Sequence, residues 1–390
     1  MKVYFDNAAT TPVYPEVIQK MTEVLRDTYG NPSSTHAFGR KAKSLIEYSR
    51  KQIAKQLNAS PSEIIFTSGG TEANNLILRS CVHDLGVQVV ISSPIEHHAV
   101  LHTLEVLAKE YPIKIVYVNL TNKGVVDLSH LEYLLQQYTE KKVLVSLMHI
   151  NNEIGNILPL KEVTALCKQY NAFLHSDTVQ QVQTALNHPK FSIDLEEIPA
   201  DFITASAHKF HGPKGVGFAF IRKGIALHSS ITGGEQEKGL RAGTEAVHNI
   251  VGMEVAFSLS YTNLDRNTEK LKDLKRYFIK QLKHHFPEAV FNGMSDTLDE
   301  SSYTIVNIGF PSLKNQNSTL LFQLDLKGIA CSKGSACQSG SVQTSHVLSA
   351  FLPEEALQYP SLRCSFSIFN TAKDVDFLIE SLKEISHNNH

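Results

Sequence analysis

The chain has 390 residues, of which 42% are hydrophobic and 19% are charged, as expected for a globular protein of about two domains. Its 37 basic and 39 acidic residues give a net charge of −2, which excludes the strongly basic surface of a nucleic-acid-binding protein. Five cysteines without a CxxC pair exclude a disulfide framework and favour reduced thiols. Because no run of about 18 apolar residues and no signal peptide is present, we expect a cytoplasmic protein without a membrane anchor.

The order of predicted elements indicates an α/β fold. Two amphipathic helices at 15–26 and 40–57 precede a region in which short runs rich in Val, Ile and Phe alternate with helical patterns. This alternation predicts a large domain with a mostly parallel, seven-stranded sheet. The predicted strands are 64–67, 87–92, 114–118, 143–148, 173–175, 202–205 and 217–221.

The pattern changes after residue 244. A long helical stretch is followed by short strands, a Gly/Ser-rich segment and a last helix, which predicts a smaller α+β domain. We assign residues 14–258 to the large domain, and residues 1–13 together with 259–390 to the small one.

The segment Ser206–Gly215 is a polar turn that follows a predicted strand and carries Lys209. Ligands bind at strand ends in open α/β sheets, and a lysine there can form a Schiff base with a carbonyl cofactor. The alternative is a surface β-hairpin with solvated lysines. His208 and His211 are three residues apart, but no Cys or carboxylate completes a metal-binding set, so no metal is expected.

A second turn, Ser68–Asn74, also lies between a strand and a helix. Its glycines allow backbone N–H groups and a helix N-terminus to face a phosphate. It matches neither the dinucleotide-binding motif nor the P-loop motif. The alternative is an ordinary glycine turn in which Thr71 is the helix N-cap.

Three further positions carry possible chemistry. Asp177 ends a strand, where its carboxylate can pair with a protonated heterocycle or cap a helix. His97 follows Glu96 in a loop, where a lone histidine is more often structural than catalytic. Cys337 lies in a stretch of small residues, 334–341, where a thiol is accessible and can react. By contrast, Cys81 and Cys167 lie in apolar helical patterns and are expected to be buried.

Taken together, these segments resemble the cysteine desulfurases of the NifS/IscS type, which belong to the class V aminotransferase family of fold type I pyridoxal-phosphate enzymes. The likeness extends over residues 2–385, and the order and spacing of its motifs are specific. Besides the segments above, the motifs are Tyr4–Pro12, Gly30–His36, His149–Gly155, Asp177 with Gln180, and Arg241–Thr244.

The resemblance implies a role for each candidate residue. Lys209, Cys337 and His97 are implied as catalytic residues, with Lys209 forming the Schiff base with pyridoxal 5'-phosphate and His97 stacking on its ring. The residues implied to bind the cofactor also include Gly70, Thr71, Asn152, Asp177, Gln180, Ser206, His208 and Thr244. Asn152 and Arg363 are implied to bind the substrate's α-carboxylate, for which a guanidinium offers two parallel donors.

The implied activity is conversion of L-cysteine to L-alanine, with the sulfur carried as a persulfide on Cys337 to an acceptor such as an iron–sulfur cluster scaffold. The resemblance also implies a homodimer in which Thr244 reaches the site of the other subunit. The alternatives are a selenocysteine lyase, another class V aminotransferase-family enzyme, or a silent sulfur-assembly subunit. Glu235, Lys333 and Ser367 depart from the usual residues of the family, and the sulfur acceptor stays open.

Overall fold

The computed structural model describes residues 1–180, 193–229, 231–333 and 345–387. Within them, the largest sheet has seven strands, which are β2 (Ile64–Thr67), β3 (Val89–Ser92), β4 (Lys114–Tyr117), β5 (Val143–Ser146), β6 (Phe173–Asp177), β7 (Phe202–Ser206) and β8 (Gly217–Ile221). Their order across the sheet is β2-β8-β7-β6-β5-β3-β4. All are parallel to one another except β8, which is antiparallel to both neighbours. The predicted mostly parallel sheet is therefore confirmed.

Helices cover both faces of this sheet. They are α1 (Pro15–Asp27), α2 (Ala37–Gln56), α3 (Gly70–His83), α4 (His98–Glu110), α5 (Leu128–Gln137), α6 (Leu160–Gln169) and α7 (Val247–Thr262). Side chains alternate along the strands: Val89 and Ile91 face one apolar cluster with α1, α2 and α7, whereas Val90 faces another with α3 and α4. A parallel sheet buried on both faces requires such continuous apolar strands.

A third apolar cluster surrounds a three-stranded antiparallel sheet. Its strands are β9 (Val290–Phe291), β10 (Ile305–Gly309) and β12 (Ser361–Ser365), and β1 (Val3–Tyr4) pairs separately with β11 (Ile329–Ala330). The remaining helices are α8 (Leu264–His285), α9 (Leu320–Leu326), α10 (His346–Ser349), α11 (Glu354–Leu357) and α12 (Ala372–His387). Leu274 and Phe278 of α8 pack with Leu378 of α12 against β10 and β12. The predicted division at residue 258 falls inside α7 and stays a prediction.

Lys275 lies within the apolar cluster that surrounds the three-stranded sheet. Lys275 of α8 is fully buried, and its Nζ donates to Ser301 Oγ (2.7 Å) and to the carbonyl oxygen of Ser302 (2.6 Å). Burial lowers the pKa of Lys275 to about 7. Between pH 7 and the ordinary lysine pKa, the unfolded chain therefore keeps a proton that the folded chain has lost. The contribution of this lysine to the free energy of unfolding therefore rises with pH across that window.

We expect this contribution to rise by about 1.4 kcal/mol per pH unit and to be absent in Lys275→Met. Chemical denaturation of wild type and variant between pH 7 and 9 measures the difference. Lys280→Met, an exposed position on the same helix, is the matched control and should keep the wild-type slope. Equal slopes for wild type and Lys275→Met would show that Lys275 is charged in the folded chain.

Candidate functional site

A cavity of about 510 Å³ lies at the carboxyl ends of the parallel strands, and its volume is within the usual range of small-molecule sites. Strands β2, β6 and β7 end at its wall, and α3 and α4 begin there. The residues predicted from sequence that line it are Gly70, Thr71, His97, Asn152, Asp177, Gln180, Ser206, His208, Lys209 and Arg363. Positions that are distant in the sequence are thus brought to one cavity.

Lys209 lies in a short 3-10 turn between β7 and β8, which form an antiparallel hairpin. The hairpin alternative was therefore right about topology, but Lys209 is half-buried rather than solvated. Its Nζ donates to the carbonyl oxygens of Ala8 (2.5 Å) and Ala9 (2.9 Å). The amine thus points into the cavity and is held by the N-terminal segment, to which sequence reasoning gave no role.

The start of α3 forms an anion cradle, which we define as Ser68–Thr71. Gly69 is the N-cap with φ +153°, and the helix begins at Gly70, so the alternative that Thr71 is the N-cap is wrong. A Cβ on Gly70 would lie 2.6 Å from Val179 Cγ2. Only glycine fits there, which leaves the first N–H groups of the helix open toward the cavity. Such groups favour an anionic ligand.

Asp177, the last residue of β6, is held by a buried polar network. Its Oδ2 accepts from Asn74 Nδ2 (2.8 Å), and Asn74 Oδ1 in turn accepts from Thr204 Oγ1 (3.0 Å) and contacts His175 Nε2 (3.1 Å). Burial lowers the pKa of His175 to about 4, so this histidine is neutral and donates through Nε2. The network fixes the carboxylate orientation. Sequence reasoning missed Asn74, His175 and Thr204.

Two histidines on the cavity wall are also neutral. His97 caps α4, because its Nδ1 accepts from the N–H of Ala99 (3.1 Å), and the hydrogen of the ring therefore lies on Nε2. Burial lowers the pKa of His97, against the opposing effect of Asp177. Burial, with the nearby Lys209 and Lys214, lowers the pKa of His208 to about 4. Both rings are thus uncharged near neutral pH.

Arg363 of β12 approaches the cavity from the second sheet. It is 1% exposed, and its guanidinium donates to Asp6 Oδ1 and to the carbonyl oxygen of Asn152, each at 2.8 Å. The pairing with Asp6 was not predicted from the sequence. Gln180 Nε2 donates to the carbonyl oxygen of Ala8 (2.9 Å), so the N-terminal segment contacts several site residues.

Within the described part of the chain, one predicted site residue does not line this cavity. Thr244 is exposed and does not contribute to the wall. Cys337 lies outside the described residues. Cys81 and Cys167 are buried, as predicted, and Cys364 is a buried residue of β12.

Comparison with known proteins identifies the family. The class V aminotransferase model matches residues 3–378. The chain belongs to the class V aminotransferase family. It is 39% identical over 386 residues to "Cysteine desulfurase IscS" of Dictyoglomus turgidum, covering 98% of this chain and 94% of that protein. It is 37% identical to "Cysteine desulfurase IscS" of Methanosarcina thermophila, with coverages of 98% and 91%.

The fold comparison agrees with the family. A solved "NifS-like protein" superposes with a TM-score of 0.88 at 36% identity and covers 99% of both chains. The resemblance drawn from the motifs and the predicted fold type I architecture are therefore confirmed, and the chain is a pyridoxal-phosphate-dependent enzyme. Among the residues that the structure describes, no helix is long and apolar enough to cross a membrane, and no cluster of His, Cys, Asp or Glu suits a metal ion.

The cavity fits pyridoxal 5'-phosphate in size and in the chemistry of its donors. The cradle Ser68–Thr71 and Ser206 suit a phosphate, and a lysine amine suits an aldehyde. The Asp177 carboxylate, fixed by Asn74, suits a protonated pyridine nitrogen.

The cradle gives a direct test of this fit. In Gly70→Ala, the new methyl would collide with Val179, whose branched side chain has little rotamer freedom. Because overpacking of this kind costs about 1–3 kcal/mol, we expect pyridoxal phosphate to bind about tenfold more weakly. Titration followed by visible absorbance measures the affinity. Gly70→Ala/Val179→Ala removes the clash and should recover most of it; a double variant as weak as the single one would contradict this explanation.

Proposed function

We propose that the protein is a cysteine desulfurase that converts L-cysteine to L-alanine and takes the sulfur onto Cys337 as a persulfide. The observation that carries the proposal is the convergence of Lys209, Asp177 and the anion cradle on one cavity. Full-length likeness to proteins named cysteine desulfurase supports the choice of reaction.

The proposed contacts to the cofactor divide among its phosphate, its ring and the substituents of the ring. Gly70, Thr71, Ser206 and His208 would hold the phosphate, joined by Thr244 from the partner subunit. Asp177 would pair with the ring nitrogen, His97 would stack on the ring, and Gln180 and Asn152 would contact its substituents. Bound pyridoxal phosphate supplies an electron sink for the bonds at the α- and β-carbons of the substrate.

The residues of the chain then bind the substrate and move its protons. Arg363 would bind the α-carboxylate together with Asn152. The ion pair between Arg363 and the Asp6 carboxylate supports this role, because it shows that the guanidinium can pair with a carboxylate at this place. Lys209 Nζ would take the proton from Cα of the substrate and return a proton during formation of alanine.

Transfer of sulfur is assigned to Cys337. Its thiolate would attack Sγ of the substrate, forming an S–S bond while the Cβ–S bond breaks. The electron pair stays with the β-carbon fragment, which is protonated to the methyl group of alanine. The sulfur stays on Cys337 until an acceptor or a reductant removes it.

We further propose a homodimer, because Thr244 is exposed and does not line the cavity of its own chain. Several large apolar side chains on and between α1 and α2 are exposed, which supports burial of this surface against a second copy of the chain: Ile18, Leu25, Tyr29, Phe38 and Tyr48.

We also propose two domains, 14–258 and 1–13 with 259–390. We propose a cytoplasmic location, and an iron–sulfur scaffold or another sulfur-acceptor protein as partner.

The decisive experiment incubates the purified holoenzyme with L-cysteine and, in parallel, with L-selenocysteine. Alanine release and a persulfide on Cys337 that reductant discharges as sulfide are the expected results with cysteine. Turnover of selenocysteine alone would replace the proposal with a selenocysteine lyase. Cofactor binding without turnover of either would favour a silent subunit or another reaction of the family.

A further inference from the structure

The segment Arg241–Thr244 is tied to the anion cradle by a single carboxylate. Glu72, in the first turn of α3, accepts from Arg241 Nε through Oε1 (2.8 Å) and from the N–H of Ser68 through Oε2 (2.8 Å). Burial opposes ionisation, but hydrogen bonds from Arg241 and Ser68 lower the pKa of Glu72 overall. An ionised Glu72 thus joins the first residue of the cradle to the segment that carries Thr244.

A deeper ion pair fixes the chain that leads into this segment. Arg50 and Glu237 form two parallel hydrogen bonds of 2.7 Å, and their side chains are only 3% and 2% exposed. Glu237 Oε2 also accepts from the N–H of Phe66 (2.8 Å), in the strand that leads into the cradle. The chain just before the segment is therefore fixed to the strand just before the cradle, in addition to the contact through Glu72.

The backbone at Glu237 and at the residue after it has an unfavourable conformation. Glu237 and Lys238 have φ values of 45° and 60°, in the left-handed region that side chains other than glycine rarely adopt. Gln236 Oε1 accepts from the N–H of Gly243 (3.1 Å), which closes the loop. Strained backbone persists only where its surroundings fix it, and it is concentrated at functional sites.

We propose that Glu72 and Arg241 are positioning residues that hold the anion cradle of one subunit and the segment Arg241–Thr244, which serves its partner, in one fixed arrangement. This inference rests on the proposed function, because it uses the assignment of the cradle and Thr244 to the cofactor phosphate. It also gives Arg241 an electrostatic task. Glu72 borders a cavity meant for an anion, and the guanidinium neutralises its charge.

The charge relation predicts an asymmetric result. Arg241→Gln leaves Glu72 ionised and uncompensated beside the phosphate site, so pyridoxal phosphate should bind roughly five- to thirtyfold more weakly. Glu72→Gln removes the repelling charge and keeps an oxygen that can accept from the N–H of Ser68, so it should lose less affinity for pyridoxal phosphate than Arg241→Gln does. Glu72→Gln/Arg241→Gln should bind more tightly than Arg241→Gln alone. Arg241→Lys, which keeps the charge without the paired donors, should lie between Arg241→Gln and wild type.

The test uses full-length holoenzyme of each variant. The rate of cofactor loss on dilution and the Kd for reloading are both followed by visible absorbance, so neither depends on turnover. Arg79→Gln is the matched control. Arg79 lies on α3, as Glu72 does, and the substitution removes its exposed ion pair with Glu110 of α4, so this variant should bind pyridoxal phosphate like wild type.

The outcomes separate the two proposals. Wild-type affinity in all Glu72 and Arg241 variants, or losses that simply add in the double variant, would overturn the positioning role and leave the proposed function intact. Failure of wild type itself to bind pyridoxal phosphate would overturn both. Arg241→Lys preserves the test if Arg241→Gln does not fold.

Discussion

Lys209→Ala should abolish the visible absorbance of the Schiff base and reduce alanine formation by roughly a hundred- to ten-thousandfold, the usual loss for a general acid–base residue. The structure supports a role for the amine because Lys209 Nζ lies at the cavity wall, where it donates to the carbonyl oxygens of Ala8 and Ala9. Visible spectra and alanine assays on purified protein measure the two effects.

Two controls make this result specific. Lys223→Ala removes an exposed lysine just after β8 and should keep both the spectrum and the activity. Pyridoxal phosphate retained without the Schiff-base absorbance would show that Asp177 and the cradle hold the cofactor independently of the amine. Wild-type turnover by Lys209→Ala would remove Lys209 from the reaction.

Much of the fold and the position of some cavity residues could be predicted from local sequence patterns, whereas Asn152 and Arg363 were expected at the site only through the family resemblance. The short apolar runs of β3 (VVIS) and β5 (VLVS) are recognisable because a sheet covered on both faces needs strands that are apolar on both sides. The residues that end parallel strands share one edge, so Asp177 and Ser206 could be assigned to one site. The glycine turn before α3 likewise predicted an anion cradle.

The contacts that orient these residues could not be predicted in the same way. Asn74 lies in the turn singled out in the sequence, but its partners His175 and Thr204 are about a hundred or more positions away and meet it only after the sheet has formed. The same holds for Arg363 with Asp6, which are 357 positions apart. Residue type and spacing identify chemistry, whereas hydrogen-bond partners across the fold follow from tertiary packing.

Cys337→Ala should eliminate the persulfide and reduce sulfide release from L-cysteine to the level without enzyme, while the visible absorbance of the bound cofactor is kept. The reason is that the proposed mechanism gives these groups different roles: Lys209, Asp177 and the cradle would hold the cofactor, whereas the Cys337 thiolate would only take the sulfur. Persulfide labelling with mass spectrometry, together with sulfide release after reductant, measures the effect.

Cys331 provides the matched control, because it lies only six positions earlier in the same chain segment. Burial raises the pKa of the Cys331 thiol to about 12, with a smaller contribution from Asp6, so little thiolate exists there near neutral pH. Cys331→Ala should therefore keep wild-type turnover. If Cys337→Ala still formed a persulfide at the wild-type rate, the sulfur would have to be carried by another thiol. Loss of the persulfide in Cys337→Ala/Cys331→Ala but not in Cys337→Ala would then identify Cys331 as that carrier, in spite of the raised pKa of its thiol.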